Sequence, residues 1–468
     1  MPEQGQGKGK GKGKVTRQDA AAVWHCWNQM EVYLQQMFTV IDDAEGVEMT
    51  DQDGKVYLDA NSSLWNVNIG HRNQKVIHAI TEQFQRLDHA SLFLSTNSPA
   101  VHLAKKLKEM TGDRYGHVFY TNSGSEATDT AIKIARQYFY NRGETERYKV
   151  ISLHRGYHGS TLGAISACGI PYDKRAFGPL MPGFFQAVVP DPFDAPEGMT
   201  ADEWAEVCLE ELRLLIEQEG PETVSAFIAE PVQGSEGVCV IPDSYWRGVR
   251  ELCDRTGILW ISDEIATGFG RTGRMFAAEH SGIWPDLMLL AKGITSGYLP
   301  LGAVLVPKIV FDEFLGSVKL EREFVHGFTT SGHPVACAAA LANIEVIEEE
   351  GLVANSAAAG SYLLEGMLAL KERFPSIVDV QGKGLLLGIR LAKWTGKSPM
   401  TAEWPPAMLA MNFLAKRGLI THAAGTHAVV LAPSLTFTAE HCDRVLQAFA
   451  QVLTTLEKIW GREKYVST

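Results

Sequence analysis

Lys292 follows an apolar run, Leu287–Ala291, that begins directly after Asp286. Gly293 comes next in the chain. A lysine that leaves a buried strand cannot easily extend to water, and desolvation lowers its pKa toward that of a nucleophilic amine. Such an amine forms imines with aldehydes. A surface lysine in an ordinary turn would give the same local pattern, so this segment alone leaves two interpretations open.

A second segment, Leu259–Gly273, is an apolar run that ends at Asp263 and Glu264 and then enters a glycine-rich loop. Ligands of open α/β sheets bind beyond the carboxyl ends of the strands, where these two acids would lie. The acids could instead serve only as a helix cap or as part of a salt bridge that orders the loop.

A third segment, Thr121–Ala127, is a small polar loop between an apolar strand and the amphipathic run Ala131–Arg136. Its backbone N–H groups, two hydroxyls and helix N-terminus could bind a phosphate dianion. An ordinary helix with a capping box between Ser123 and Glu126 is compatible with the same residues.

Together, the three segments predict a cofactor site. A phosphate cradle, a carboxylate and a lysine suit a cofactor with a phosphate, a basic ring nitrogen and an aldehyde, which are the functional groups of pyridoxal phosphate. A buried carboxylate would keep the pyridine nitrogen protonated, and the charged ring would delocalise the carbanion formed when an amino substrate loses its α-proton. No metal site is expected, because glycines between and after His154 and His158 interrupt a regular helical face.

The surrounding pattern predicts the elements that position these segments. Gly46–Asp59 alternates apolar and polar residues around the turn dipeptide Asp53-Gly54, so a hairpin is expected there. From about Val76, helices alternate with short apolar strands, which implies a mostly parallel sheet covered on both faces. These strands are His117–Tyr120, Lys149–Leu153, Val224–Ala229, Gly257–Ser262, Leu287–Ala291 and Leu301–Val306. After about Gly332, a long helix rich in Ala and Glu leads into a second region with its own strands and helices.

Size, charge and cysteine content narrow the class of protein. A chain of 468 residues with 45% hydrophobic content suits two domains, and its formal net charge of −12 disfavours a nucleic-acid partner. Seven scattered cysteines without a C-x-x-C pair argue against a disulfide framework and favour the cytoplasm. No apolar run approaches the roughly 18 residues of a membrane helix, and the N-terminus has no apolar signal-peptide core. Residues 1–14 contain a Gly-Lys repeat that predicts a disordered tail.

The chain resembles the class III aminotransferases, which are fold-type I pyridoxal-phosphate enzymes. The resemblance rests on Asp263–Gly273, Pro285-Asp286 and Lys292-Gly293, and it extends from Tyr57 to the last region of the chain. It implies an α/β fold whose large domain has a mostly parallel seven-stranded sheet covered by helices, with a small α+β domain built from both ends of the chain. The implied boundaries are residues 15–75 for the N-terminal segment of the small domain, 76–332 for the large domain and 333–468 for the C-terminal part of the small domain.

The same resemblance implies roles in cofactor binding. Lys292 would form the internal imine and, once displaced by substrate, would shuttle the proton, while Asp263 would pair with the pyridine nitrogen. Gly124 and Ser125 would hold the phosphate, and Tyr157 would stack on one face of the ring.

Four further residues take roles by the same resemblance. Ile265 would press on the other ring face, and Glu230 would lie near the hydroxyl side of the cofactor. Phe328 and Thr329 would reach across a subunit interface to the neighbour's cofactor phosphate. A single subunit could not then complete its own site, so an obligate homodimer, alone or as a dimer of dimers, is predicted.

Four positions are implied in the substrate pocket, one of which is Tyr157, the residue that would also stack on the ring. Trp65 and, from the partner subunit, Phe93 would form its aromatic walls. His422 occupies the position where many relatives carry an arginine that binds the substrate carboxylate. Histidine is shorter and only partly charged near neutral pH, so bidentate binding of a carboxylate is lost.

The expected activity is transfer of the amino group of a primary amine or ω-amino compound to a 2-oxo acid, with pyruvate as the expected acceptor, by a ping-pong mechanism. The biotin-pathway diaminopelargonate transaminase shares the Asp263–Gly273 motif, but the missing arginine and Leu64-Trp65 in place of a double tryptophan weigh against it. An aminomutase, racemase or decarboxylase of the same fold stays open. A protein that only binds the cofactor is disfavoured because Lys292 and Asp263 are both present, and a nicotinamide-dependent enzyme because no suitably placed G-x-G-x-x-G occurs.

Overall fold

The computed structural model of the chain describes residues 14–37, 39–394, 404–460 and 465–466. The predicted tail, residues 1–14, lies outside these ranges except for Lys14, whose Nζ is 2.6 Å from the Asp53 carboxylate. Within the described ranges, no helix combines the length and the apolar character needed to cross a membrane.

The described part of the chain forms nine α-helices of more than ten residues. In chain order, α1 to α9 are Gln74–Arg86, Ser98–Met110, Gly124–Asn141, Ala201–Glu219, Asp243–Thr256, Pro334–Glu349, Leu352–Arg373, Pro406–Lys416 and Ala439–Trp460. Side-chain oxygens cap the free N–H groups of several first turns: Asn73 caps α1, Ser123 caps α3 and Thr200 caps α4. Because Ser123 fixes the start of α3, the helix begins inside the segment predicted to hold a phosphate.

Three N-terminal strands, β1 (Ile41–Glu45), β2 (Glu48–Asp51) and β3 (Val56–Asp59), form an antiparallel meander. The hairpin predicted around Asp53-Gly54 is the connection between β2 and β3. Gly54 has φ +82° there, a backbone conformation that glycine adopts without a steric penalty.

The central sheet has seven strands. In chain order, β4 to β10 are His117–Thr121, Lys149–Leu153, Phe184–Ala187, Val224–Ala229, Leu259–Asp263, Leu287–Leu290 and Gly302–Val306. Their spatial order is β4-β10-β9-β8-β7-β5-β6, with β10 antiparallel to both neighbours and the other six strands parallel to one another. The mostly parallel seven-stranded sheet is therefore confirmed.

Helices cover both faces of this sheet. Ala131 and Ile134 of α3 pack against one face, and Leu212 of α4 and Trp246 of α5 pack against the other. Complete burial of an aliphatic side chain of this kind contributes on the order of 1.5–3 kcal/mol. Strands that are buried on both faces consist of consecutive apolar residues. Most strands of this sheet could therefore be predicted from the sequence. Only the half-buried edge strand β6 was missed.

A second antiparallel sheet lies near the C-terminus. Its strands are β11 (Ile377–Lys383), β12 (Leu386–Leu391), β14 (His422–Ala424) and β15 (Ala428–Leu431), in the order β11-β12-β15-β14. The two-residue strand β13 (Leu419–Ile420) pairs in parallel with β3 instead. That pairing joins both ends of the chain and supports the predicted small domain, whose exact boundaries stay a prediction.

Candidate functional site

The residues predicted to carry chemistry converge on one cavity of about 300 Å³, which lies beyond the carboxyl ends of β8 and β9. Eight of the predicted residues line it: Trp65, Gly124, Ser125, Tyr157, Glu230, Asp263, Ile265 and Lys292. Parallel strands end at the same edge of a sheet, and that edge is where open α/β folds bind their ligands.

Lys292 lies two residues after the last residue of β9 and lines the cavity with its side chain. Its backbone has φ +43°, a left-handed conformation that is costly for any residue with a Cβ and that is concentrated at functional sites. Its Nζ lies 5.2 Å from the centre of the Trp65 ring. Burial lowers the pKa of Lys292, while the charges of Asp263 and Glu230 oppose the shift. The amine is thus more readily deprotonated than that of a surface lysine.

Asp263 is the last residue of β8 and is almost fully buried. One carboxylate oxygen accepts a hydrogen bond from the backbone N–H of Ile265 at 3.1 Å, and the other lies 2.8 Å from Nδ1 of His158. His158 is itself buried, so the pair forms away from bulk water. Sequence reasoning weighed His158 only as a metal ligand and missed this contact, which joins residues 105 positions apart.

The neighbouring acid, Glu264, points away from the cavity. Its carboxylate accepts hydrogen bonds from the Thr267 hydroxyl at 2.6 Å and from the backbone N–H groups of Ala277 and Ala278 at 2.9 and 2.8 Å. Burial raises the pKa of Glu264 to about 7 despite these donors. Both interpretations of the acid pair therefore apply, one to each residue: Asp263 faces the ligand cavity, and Glu264 orders the glycine-rich loop.

The start of α3 forms the side of the cavity that suits a phosphate. Ser123 Oγ accepts from the N–H of Glu126 at 3.2 Å, as the capping box predicted, but Glu126 Oε2 accepts from Asn122 at 2.6 Å rather than from Ser123. The amides of Gly124 and Ser125 belong to the first turn, where a helix has no internal acceptor for them. They are free to bind an anion together with the positive end of the helix dipole.

Gly124 packs closely against Ile265. A Cβ at this position would lie 2.9 Å from Cδ1 of Ile265, so that side chain would have to shift to admit a larger residue. Ser125 Oγ accepts from the N–H of Ser160 at 2.9 Å, which links the two loops on this side of the site.

Tyr157 is held at its backbone and at its hydroxyl. Its N–H donates to Glu230 Oε2 at 3.0 Å, and its hydroxyl lies 2.9 Å from Ser160 Oγ. Burial raises the pKa of Glu230 to about 7, with the charge of His158 acting in the opposite direction. The ring of Tyr157 consequently has a fixed place at the cavity wall.

Trp65 and His422 form an aromatic pair near Lys292, in which Trp65 lines the cavity and His422 packs against Trp65 without lining the cavity itself. Their ring centres are 5.8 Å apart and nearly perpendicular, with Trp65 buried. Burial lowers the pKa of His422, and the charge of Lys292 lowers it further. His422 consequently carries less positive charge near neutral pH than an unperturbed histidine does.

Phe93, Phe328 and Thr329 are absent from the lining of the cavity within one chain. The Phe93 side chain is 65% exposed, and Thr329 is exposed as well. Phe93 lies close to the segment that carries the other two, because a Cβ at Gly327 would be 3.0 Å from its ring. The three residues thus share a surface region, which is compatible with their predicted contribution to a partner's site.

Arg271, within the glycine-rich motif, has a structural function that the sequence did not suggest. It is fully buried and donates to Ser62 Oγ at 3.1 Å, Asn68 Oδ1 at 2.8 Å and the carbonyls of Leu385 and Pro433. Burial lowers its pKa to about 9. One guanidinium thereby joins the N-terminal and C-terminal segments beneath the site.

The cavity fits pyridoxal phosphate group by group. Lys292 would offer an amine to the aldehyde, Asp263 a carboxylate to the ring nitrogen, and the first turn of α3 its amides to the phosphate. The missing Cβ at Gly124 leaves space for the Ile265 side chain, which also lines the cavity. Fold and site together define a fold-type I pyridoxal-phosphate-dependent transaminase.

Comparison with known proteins gives the family. The model of the family "Aminotransferase class-III" matches residues 30–453. The adenosylmethionine-8-amino-7-oxononanoate aminotransferase of Anoxybacillus flavithermus is 36% identical over 93% of this chain and 96% of its own. The putrescine–pyruvate aminotransferase of Pseudomonas aeruginosa is 36% identical over 87% of this chain and 88% of its own.

Among solved structures, an amine transaminase from an uncultivated Pseudomonas species in its PLP-bound form superimposes with a TM-score of 0.88. It is 35% identical, and the match covers 92% of this chain and 98% of that one. The chain belongs to the class III aminotransferase family.

Proposed function

We propose that this enzyme transfers the amino group of a primary amine or ω-amino compound to a 2-oxo acid, with pyruvate as the acceptor, in two ping-pong half-reactions. One observation carries the proposal: the position next to Trp65 and Lys292 holds a histidine, His422, whose pKa is lowered by burial. Among the described residues that line the cavity, Lys292 is the only lysine and no arginine occurs. Without an arginine beside Trp65, the site favours a donor that has no carboxylate next to its amino group.

Pyridoxal phosphate, when bound, supplies an aldehyde carbon for the amino nitrogen and a protonated ring that delocalises the negative charge left at the donor's α-carbon. Lys292 Nζ would hold the cofactor through its aldehyde and, once free, would accept the proton from the donor's α-carbon. Because burial lowers the pKa of Lys292, a larger fraction of the free amine is neutral and able to accept that proton.

The other lining residues hold the ring in place. Asp263 would face the ring nitrogen, and the 2.8 Å contact with His158 orients its carboxylate. Tyr157 and Ile265 would hold the ring, with Glu230 at the hydroxyl side. The first-turn amides of Gly124 and Ser125 would bind the phosphate.

We also infer that the enzyme is a cytoplasmic homodimer in which Phe93, Phe328 and Thr329 complete the partner's site. Large apolar side chains near these residues are exposed in one chain, including Leu94 at 99% and Val325 at 85%. An exposed apolar region of this kind is typical of an interface. Size-exclusion chromatography with light scattering tests this inference, and a monomer that is active at assay concentration would contradict it.

A second candidate reaction is the one for which the Anoxybacillus relative is named, between adenosylmethionine and 8-amino-7-oxononanoate. The identity over 93% of the chain supports it. The missing arginine at His422 and the presence of Leu64 beside Trp65 weigh against it.

A half-reaction assay separates the candidates. The purified, pyridoxal-phosphate-loaded enzyme is mixed with a simple primary amine, an α,ω-diamine or adenosylmethionine, each without an acceptor, and the visible absorbance of the cofactor is followed. We expect the simple amine and the diamine to bleach this absorbance and pyruvate to restore it. Bleaching by adenosylmethionine alone would favour the second candidate. Release of CO₂, or racemisation without a carbonyl product, would contradict transamination.

A further inference from the structure

The loop that carries Lys292 has an unusual backbone. Directly after β9, the chain makes a short 3₁₀ turn, Lys292–Ile294, and two residues other than glycine have left-handed φ values, +43° at Lys292 and +48° at Ser296. Such conformations are costly and persist only where surrounding contacts hold them. The direction of the Lys292 side chain therefore depends on whatever holds this loop.

Asn343, in the middle of α6, makes those contacts. Its Nδ2 donates to the carbonyls of Gly293 at 2.8 Å and Ile294 at 3.0 Å, and its Oδ1 accepts from the Ser296 hydroxyl at 2.6 Å. Asn343 is fully buried, so water cannot replace these hydrogen bonds. An amide is the side chain that offers two donors and an acceptor from one planar group.

We propose that Asn343 is a positioning residue for Lys292. By binding the two carbonyls that follow Lys292 and the hydroxyl at the end of the loop, it keeps the lysine backbone in place while Nζ moves between its covalent and free states. The proposal rests on the proposed role of Lys292 and adds a residue that lies outside the cavity. Its physical basis is that proton transfer is sensitive to small misplacements of the donor and acceptor atoms.

Variants of Asn343 test the proposal, with Asn355 as a matched control. Asn355, on α7, also donates to two backbone carbonyls, those of Leu435 at 2.6 Å and Phe437 at 2.9 Å, but it holds a different loop. Asn343→Ala removes all three contacts. The nearly isosteric Asn343→Asp removes the two donors, and Ser296→Ala removes one contact from the loop side without opening a space in α6.

Three measurements on the pyridoxal-phosphate-loaded proteins separate positioning from plain stability. These are the melting temperature, the pH midpoint of the visible cofactor absorbance, and the single-turnover rate and KM with a primary amine. We expect Asn343→Ala and the control Asn355→Ala both to have a lower melting temperature than the native enzyme. Asn343→Ala and Asn343→Asp should also shift the absorbance midpoint and slow the single turnover on the order of tenfold, with KM nearly unchanged.

If the Asn343 variants do not fold, Ser296→Ala still tests the proposal. It should slow the single turnover by roughly threefold, because a rate change of that size corresponds to the free energy of about one hydrogen bond. An unchanged midpoint and single-turnover rate in the folded variants would overturn the proposal. Borohydride reduction followed by peptide mass analysis distinguishes this failure from a failure of the proposed function. Trapping of the cofactor on a lysine other than Lys292 would remove the function itself.

Discussion

Replacement of His422 by arginine tests the basis of the proposed substrate preference. In the native pocket, His422 packs against Trp65 at 5.8 Å between ring centres, and burial and Lys292 both lower its pKa. Neither residue of the pair can form a bidentate ion pair with a carboxylate. His422→Arg would add a permanent cation with a planar set of donors in a partly desolvated place.

The expected gain follows from the strength of such a contact. A hydrogen bond to a charged group contributes about 1.5–3 kcal/mol, which corresponds to roughly a ten- to hundredfold change in rate or affinity. A second cation beside Lys292 would also lower the pKa of that amine further, but this effect acts on all substrates alike. The ratio of kcat/KM for pyruvate to kcat/KM for an uncharged aldehyde acceptor therefore isolates the new contact.

We expect this ratio to rise at least about tenfold in His422→Arg. His422→Gln serves as the control, because it changes the packing against Trp65 without adding charge, and its ratio should stay near that of the native enzyme. Equal ratios in the arginine variant and the native enzyme would show that position 422 does not meet the acceptor carboxylate.

Four other perturbations have defined outcomes. Lys292→Ala should abolish turnover and the visible absorbance of the bound cofactor while the circular dichroism spectrum stays native; residual turnover would exclude Lys292 as the essential amine. His158→Phe leaves Asp263 without its 2.8 Å partner, so stopped-flow half-reaction rates should fall on the order of ten- to hundredfold, and unchanged rates would mean that the contact is incidental. Burial raises the pKa of Glu264 from 4.5 to about 7, so its stabilising contribution is complete below pH 4.5 and is lost as the pH rises through about 7. Relative to Glu264→Gln, the native free energy of unfolding should therefore fall by about 3 kcal/mol over that window. Parallel pH profiles of the two proteins would contradict this. Arg271→Met should lower the free energy of unfolding by about 3–5 kcal/mol in denaturant titrations, since four buried acceptors lose their donor; a native-like midpoint would show that the acceptors find other partners.

Local sequence was sufficient for features whose cause is local. Strands buried on both faces, such as β8 and β9, are apolar runs, and the acid or lysine that ends each run marks the edge of the sheet. The small polar loop Thr121–Ala127 predicted both a helix start and an anion site, and the structure has the helix start at Ser123. For these reasons a mostly parallel sheet and the convergence of Lys292, Asp263 and Gly124 could be anticipated from local patterns, whereas the seventh strand, half-buried β6 at an edge, could not.

Tertiary structure alone decided which partners the polar groups take. Asp263 and Glu264 are adjacent, yet one faces His158 in the cavity and the other holds the loop, because successive residues at the end of a strand point in opposite directions. The contacts of Arg271 and Asn343 join segments that are far apart in the chain, so no local sequence pattern predicts them. A sequence determines by itself the regular elements and the chemistry available at their ends, since these depend on neighbouring residues. Which of those groups meet, and how burial then changes their pKa values, depends on packing between distant segments.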